Sequence, residues 1–257
     1  MDSFSLDNCF VTIKDIFNTI QGEGSLAGRP STFIRFSGCN VKDCFNGKCD
    51  TDWKDGRALS VYSVLDRIDS LKPYNHFVIT GGEPLSQKYL LLLVVELFRN
   101  YRGCSVQIET SASKHLSDHY VFAGMTFLKN AKNVLYNFEE NFPIFFTCSP
   151  KMHRREFEND LRNSISMLAA FGHGELKFVL DPEVTPLSDF ARLIDDPQID
   201  RLCKERNVER YIMLEEVFSQ ELIASGSAGS FFEALYSLYA VDKYKISSRL
   251  QNYFEIK

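Results

Sequence analysis

The sequence predicts an α/β protein built as an open, partial TIM-like barrel of about six parallel strands with helices outside. Three observations carry this. Seven short runs rich in β-branched and aromatic residues read as strands. Helical periodicity fills most of the intervals between them, and strand–helix alternation implies a parallel sheet. Unusual polar residues then fall at the predicted carboxyl ends of successive strands, where parallel α/β folds gather their chemistry.

The strand runs are Thr32–Phe36, Phe77–Thr80, Ser105–Glu109, Ile144–Cys148, Leu176–Leu180, Tyr211–Leu214 and Tyr244–Ser247. They exceed a minimal doubly wound half and fall short of a closed eight-fold barrel. Helices are expected over Ser60–Leu71, Ser86–Tyr101, Arg154–Phe171, Ser188–Arg206 and Gln220–Tyr239, with Ser86 and Ser188 as N-caps. The whole chain, 1–257, reads as one domain with its core over about 15–257. Residues 112–141 look like extra length, a possible insertion.

Composition narrows the function classes. The 257 residues are 44% hydrophobic and 25% charged, enough for a sizeable core. A net charge of −5 supplies no global field for a nucleic acid backbone. The longest apolar run, Leu90 to Val95, is too short to span a bilayer, and the first residues lack a secretory pattern. The expectation is a soluble, cytoplasmic protein without membrane or nucleic-acid partners. Its seven cysteines then point to reduced thiols or a metal site. Cys9, Cys104, Cys148 and Cys203 are scattered and read as small buried hydrophobes.

The other three share one loop, Cys39-Asn-Val-Lys-Asp-Cys44-Phe-Asn-Gly-Lys-Cys49, directly after the first predicted parallel strand. Three thiolates can hold three irons of a 4Fe-4S cluster and leave the fourth open. Zinc is the alternative, although it usually wants four closed ligands, and His76 is the nearest further candidate and is not close. The next strand ends in Thr80-Gly81-Gly82-Glu83-Pro84. Two glycines permit close approach of backbone to a ligand, and Glu83 offers acceptors to a ligand ammonium; a tight strand–helix turn explains the same residues more plainly.

Taken together, the clustered cysteines and Gly-Gly-Glu-Pro resemble the radical S-adenosylmethionine superfamily. A narrower resemblance spans nearly the whole chain. Asp15–Gly24 with its Gln21-Gly22-Glu23-Gly24, Ala27–Pro30, Phe33–Asn40, Cys49-Asp50-Thr51, Ser149-Pro150-Lys151, Glu175–Val179 and Ile246–Gln251 look like the 7-carboxy-7-deazaguanine synthase family. The resemblance implies a radical S-adenosylmethionine core and a lyase. The enzyme would convert 6-carboxy-5,6,7,8-tetrahydropterin into 7-carboxy-7-deazaguanine with release of ammonia, on a route to 7-deazapurines such as queuosine. S-adenosylmethionine would be used catalytically and regenerated at each turnover. It implies a 4Fe-4S cluster on Cys39, Cys44 and Cys49, S-adenosylmethionine, and Mg2+ on Thr51. Contacts to S-adenosylmethionine are implied for Gly82, Glu83, Ser111, Ser149, Pro150, Lys151 and Lys177. Substrate contacts are implied for Ile20, Gln21, Gly22, Glu23, Arg35, Thr80 and Gln251. A flavodoxin- or ferredoxin-like electron donor and a homodimer complete the implication.

Residue chemistry agrees in places. The guanidinium fork of Arg35 suits bidentate capture of a carboxylate, and alternation puts Arg35 on the face of Phe33. A surface ion pair is the plainer fate of an arginine, as a hairpin turn is for Gln21–Gly24. The chain departs from the family at several points. The cysteine spacing is four residues twice, Lys48 stands where an aromatic is usual, Glu215 lies where Gln-Pro is common, and Gln251 takes the place of a histidine. Two other readings stay open. One is a radical activase of a glycyl-radical enzyme, which shares the cluster and Gly-Gly-Glu without needing Gln21–Gly24, Arg35 and Thr51 together. The other is a non-catalytic cluster- or zinc-binding interaction protein.

Overall fold

The computed structural model describes residues 6–41, 44, 49, 52–116, 144–181, 185–214, 221, 225–238 and 243–247. Nine strands form one open sheet: β1 (Phe10–Ile20), β2 (Pro30–Phe36), β3 (Arg57–Ser60), β4 (His76–Gly81), β5 (Ser105–Thr110), β6 (Ile144–Cys148), β7 (Gly174–Leu180), β8 (Glu209–Leu214) and β9 (Lys245–Ser247). Their spatial order is β3-β1-β2-β4-β5-β6-β7-β8-β9. From β2 to β9 every neighbouring pair is parallel. The seven runs expected from sequence are therefore strands of one parallel sheet. The open barrel carries an additional antiparallel flap, β1 with β2 and β3.

β1 escaped the sequence reading because its alternation changes phase. Val11 and Ile13 join the outer core, the register shifts between Ile13 and Asp15, and Phe17 then faces inward against Phe33 and Val78. A bulge inserts one residue and turns every later side chain to the other face.

The described helices are α1 (Val61–Ser70), α2 (Leu90–Asn100), α3 (Phe157–Phe171), α4 (Leu187–Ile194), α5 (Pro197–Arg206) and α6 (Ala228–Leu238). The long helix expected over Ser188–Arg206 is two, because Pro197 has no N–H to continue the first and sits at the start of the second. Neither expected N-cap holds. Tyr89 precedes α2 and Pro186 precedes α4, while Ser86 closes a short 3-10 turn capped by Glu83. Ser60 does cap α1, accepting from the Ser63 N–H at 3.1 Å. Ser60→Ala should therefore lower stability by about 1 kcal/mol, read as a shifted urea midpoint at unchanged slope.

The two faces of the sheet differ. One carries Ile34, Phe36, Phe77, Ile79, Val106, Ile108, Phe146, Phe178 and Leu180 into a continuous apolar core with the helices. Cys9, Cys104, Cys148 and Cys203 are buried there, as expected of scattered cysteines. The inner face is polar over β5 to β7, where Gln107, Thr147, Glu175 and Lys177 are all buried. Among the described residues no helix is long and apolar enough to cross a membrane. Most of residues 112–141 lies outside the described residues, as do Asp50, Thr51, Glu215 and Gln251.

Candidate active site

The carboxyl ends of four consecutive parallel strands form one rim. Cys39 follows β2, Glu83 follows β4, Ser111 follows β5 and Ser149–Lys151 follow β6. The cysteine loop is closed at its base by its own two ends. The Gly38 N–H donates to the Trp53 carbonyl at 2.9 Å, and the Ser37 hydroxyl donates to that same carbonyl at 2.5 Å while accepting from the Gly56 N–H. The cysteines therefore ride on a stapled loop.

The two glycines of the next strand serve that loop. A Cβ on Gly81 would stand 2.2 Å from the Phe36 carbonyl oxygen, and one on Gly82 1.9 Å from that of Gly38. Their lack of side chains lets β4 press on the approach to Cys39, with Gly82 N–H on the Phe36 carbonyl and Glu83 N–H on that of Gly38, both at 3.0 Å. The close neighbour of both glycines is protein backbone.

One carboxylate oxygen of Glu83 accepts from Leu85 N–H (3.0 Å) and Thr110 Oγ1 (2.5 Å); the other accepts from Ser111 N–H (2.9 Å) and Ser111 Oγ (2.5 Å). Four acceptances fill a carboxylate. Glu83 thus organises the rim by tying the end of β5 to that of β4.

The donor chemistry of the rim fits a cluster. Cys39, Cys44 and Cys49 form no disulfide. The Val41 N–H donates to Cys39 Sγ at 3.4 Å, a backbone contact that favours thiolate. A hydrogen bond to Cys49 and burial push the Cys44 thiol up, opposed by the Lys151 ammonium; burial raises Cys39 as well. Among the described residues no three His, Cys, Asp or Glu side chains converge as ligands of a single metal ion. His76 is remote from the rim, at the first residue of β4, held by Ser105 Oγ at 2.8 Å and Gln107 Oε1 at 3.3 Å. Beside the cysteines, Ser149 and Lys151 meet at 3.4 Å.

The other end of the barrel is floored by the turn between β1 and β2. It is closed by Gln21 N–H on the Arg29 carbonyl and Gly28 N–H on the Gln21 carbonyl, both at 2.7 Å. Gln21 is buried, and its amide is spent within the protein. Nε2 donates to Gln107 Oε1 (2.9 Å) and Glu109 Oε1 (2.8 Å), and Oε1 accepts from the Glu23 N–H (3.2 Å). These bonds tie Gln21 to the floor of the barrel. Lys177 likewise belongs to the floor and not to the rim. Its ammonium lies 2.5 Å from Glu23 Oε2. Burial works against its charge, yet Glu23 first, then Glu109 and Glu175, hold it above the ordinary lysine range. Glu175 is raised by its own burial, against hydrogen bonds from Ser25 and Thr147.

Between rim and floor stands Arg35. Register places it beside Asp15 on β1 and Thr80 on β4. Its guanidinium covers the ring of Phe17 at 5.1 Å, and Phe17 stacks on Phe33 at 5.5 Å, so Arg35 does share the inner face with Phe33. Its Nε is buried and has no hydrogen-bond partner among the described residues. Thr80 Oγ1 donates to Glu109 Oε2 at 2.9 Å.

No protein-family model matches the chain. Among curated proteins it is similar to the 7-carboxy-7-deazaguanine synthase of Rickettsia prowazekii, 29% identical over 189 residues, 71% of this chain and 67% of that one. The synthase of Aquifex aeolicus is 29% identical over 198 residues, 77% and 75% of the two chains. That of Halobacterium salinarum is 36% identical over 110 residues, 42% of each. These similarities span most of the chain and support an enzyme related to the 7-carboxy-7-deazaguanine synthases. The crystal structure of QueE from Escherichia coli shares the fold, with a TM-score of 0.54 over 93% of this chain and 94% of that one at 22% identity.

Gln107, Glu109, Thr147 and Glu175 are inner-face residues that the sequence motifs do not single out as site residues. Their signal was period-two polarity in strands that a parallel sheet would otherwise fill with apolar side chains. His76 adds a stability consequence. Burial, then the Arg29 charge, lowers its pKa from 6.5 to about 4. A depressed histidine keeps its full contribution above the unfolded value and loses it as pH falls towards the folded one. Stability should drop by up to about 3 kcal/mol between pH 6.5 and 4 on this account. His76→Gln should flatten that part of the pH profile of the denaturation midpoint relative to wild type.

Proposed function

We propose that the chain is a 7-carboxy-7-deazaguanine synthase acting on 6-carboxy-5,6,7,8-tetrahydropterin, with loss of ammonia. The observation that carries this reading is Arg35. Arg35 is half-buried, but its Nε is fully buried and unpartnered, which is costly unless a ligand completes it, and its fork matches a carboxylate. It stands between a cysteine-bearing rim and a polar floor, as a carboxylated heterocycle held beneath a cofactor requires.

Cys39, Cys44 and Cys49 would hold the 4Fe-4S cluster, with S-adenosylmethionine on its open iron beside Ser111, Ser149, Pro150 and Lys151. When bound, these groups supply the radical that removes a hydrogen atom from the substrate. The chain's own residues bind and orient. Arg35 takes the substrate carboxylate. Glu23 and Glu109 are acceptors for ring N–H donors, with Gly22 and Ile20 offering backbone. Thr80 sits between Arg35 and Glu109. Lys177 keeps Glu23 in place, and the apolar outer face leaves the floor its dry surroundings. Magnesium on Thr51, a substrate role for Gln251, a flavodoxin- or ferredoxin-like donor and a homodimer rest on the resemblance alone.

Anaerobic turnover tests the reading: iron and sulfide reconstitution, dithionite, S-adenosylmethionine, magnesium and carboxytetrahydropterin, with products read by mass. Formation of 7-carboxy-7-deazaguanine supports it. 5′-Deoxyadenosine without any deazaguanine would favour a different radical reaction, and stoichiometric zinc without cluster absorbance would contradict radical chemistry altogether.

A further inference from the structure

The floor of the barrel is held by a closed hydrogen-bond circuit that crosses three strands. Gln21 Nε2 donates to Gln107 Oε1 on β5 at 2.9 Å. Gln107 Nε2 donates to Thr147 Oγ1 on β6 at 2.8 Å, and Thr147 Oγ1 donates to Glu175 Oε1 on β7 at 2.9 Å. Glu175 Oε2 then accepts from Ser25 N–H at 2.8 Å and Ser25 Oγ at 2.7 Å, which returns the path to the turn it left. Every link donates towards Glu175.

That uniform polarity has a cause. An ionised carboxylate accepts and cannot donate, so Thr147 must aim its hydrogen at Glu175 and is left with lone pairs for Gln107. Gln107 must then turn its amide nitrogen to Thr147 and its oxygen to Gln21. Gln21 in turn points nitrogen at the wall and keeps oxygen for the Glu23 N–H. The buried carboxylate on β7 thereby favours, through two intervening side chains, the same Gln21 amide orientation that Glu109 Oε1 favours directly by accepting from Nε2 at 2.8 Å.

A second observation shows that the turn is seated on this carboxylate. Gly24 has φ +67, and a Cβ there would lie 2.1 Å from Glu175 Oε1. The turn backbone rests directly against Glu175, where only glycine fits. Gly24 N–H also reaches Ser247 Oγ on β9 at 3.0 Å.

We propose that Gln107, Thr147 and Glu175 are positioning residues that set the substrate floor, by fixing the orientation of Gln21 and hence the backbone of Gly22 and Glu23. None of the three needs to touch substrate for this. The proposal rests on the synthase reading for the identity of the ligand, but the circuit itself does not.

Thr147→Val and Thr147→Ser test it, since valine keeps the volume without the hydroxyl and serine restores it. Two readouts are taken on the reconstituted protein with S-adenosylmethionine: affinity for carboxytetrahydropterin, and hydrogen exchange of the Gly22–Gly28 amides. Thr147→Val should weaken binding about ten-fold and speed exchange in the turn, while Thr147→Ser stays close to wild type. Ser25→Ala, on the exposed part of the turn, should produce a smaller loss in the same direction, about three- to five-fold, and serves if Thr147→Val does not fold. Unchanged exchange in both Thr147→Val and Ser25→Ala overturns the proposal. Equal loss in Thr147→Ser and Thr147→Val also overturns it, since packing and not the hydroxyl would then be responsible. If wild type fails to bind the pterin, the synthase reading falls while the exchange arm still decides the circuit.

Discussion

Gly82→Ala is expected to cost the enzyme its cluster. The added methyl would stand 1.9 Å from the Gly38 carbonyl oxygen, 2.5 Å from its carbon and 3.2 Å from the Cys39 nitrogen. All three are backbone atoms, so no side chain can swing aside. Gly38 is fixed from two directions, by the Trp53 carbonyl on its N–H and by the Glu83 N–H on its carbonyl. Overpacking of this kind costs about 1–3 kcal/mol, which a protein of this size survives. The overlap is relieved most cheaply by moving Gly38 and Cys39 away from β4, which spoils the placement of the first thiolate. After reconstitution, iron and sulfide per chain should fall far below wild type, and S-adenosylmethionine cleavage should fall with them by about two orders of magnitude or more. Gly103→Ala is the control. Gly103 has a left-handed backbone, φ +70, which Gly82 does not, and nothing lies within 4 Å of its Cβ, so alanine there adds strain without overlap and should lose a little stability and keep its iron. A fully loaded Gly82→Ala protein would show that the glycine does not place the cysteine loop.

Arg35→Ala should separate substrate binding from cofactor chemistry. Removing one member of a buried, hydrogen-bonded charge pair costs about 2–5 kcal/mol of binding, which is about thirty-fold to a few thousand-fold in Kd. Arg35→Lys keeps the charge but loses the fork, and should recover only part. The free protein should not suffer. The buried Nε without a partner costs about 1–3 kcal/mol as it stands, which offsets the contact of the guanidinium with Phe17, worth about 0.5–2 kcal/mol. Thermal stability without substrate should therefore stay within about 1 kcal/mol of wild type. Uncoupled cleavage of S-adenosylmethionine should persist, because in the proposed reading Arg35 holds the pterin carboxylate and not the cofactor. A large fall in stability with unchanged pterin affinity would make Arg35 a structural residue instead.

Much of this arrangement was legible before any coordinates. The seven parallel strands announced themselves because a strand buried under helices must be apolar, and runs such as Phe77–Thr80 and Leu176–Leu180 are short and bounded. The rim was legible because Cys39, Glu83, Ser111 and Ser149 each follow such a run directly. What stayed hidden depends on contacts across the chain. The bulge at Ile13/Asp15 splits the pattern of β1 into two phases, neither long enough to stand out. The saturation of Glu83 and Gln21 is invisible in a motif, because it depends on Thr110, Ser111 and Gln107 arriving from another strand. Lys177 reads the same in sequence whether it serves rim or floor, and Glu23, 154 residues away, decides it. Gly82 is the instructive case. A Gly-Gly pair signals a close approach, but only the fold says that the approaching group is the cysteine loop itself.

Product stoichiometry against S-adenosylmethionine tests the central claim most directly. The reduced, reconstituted enzyme is given excess carboxytetrahydropterin, magnesium and a limiting amount of S-adenosylmethionine. The account predicts more 7-carboxy-7-deazaguanine than S-adenosylmethionine supplied, with little 5′-deoxyadenosine accumulating. Intact pterin beside steadily accumulating 5′-deoxyadenosine would contradict it.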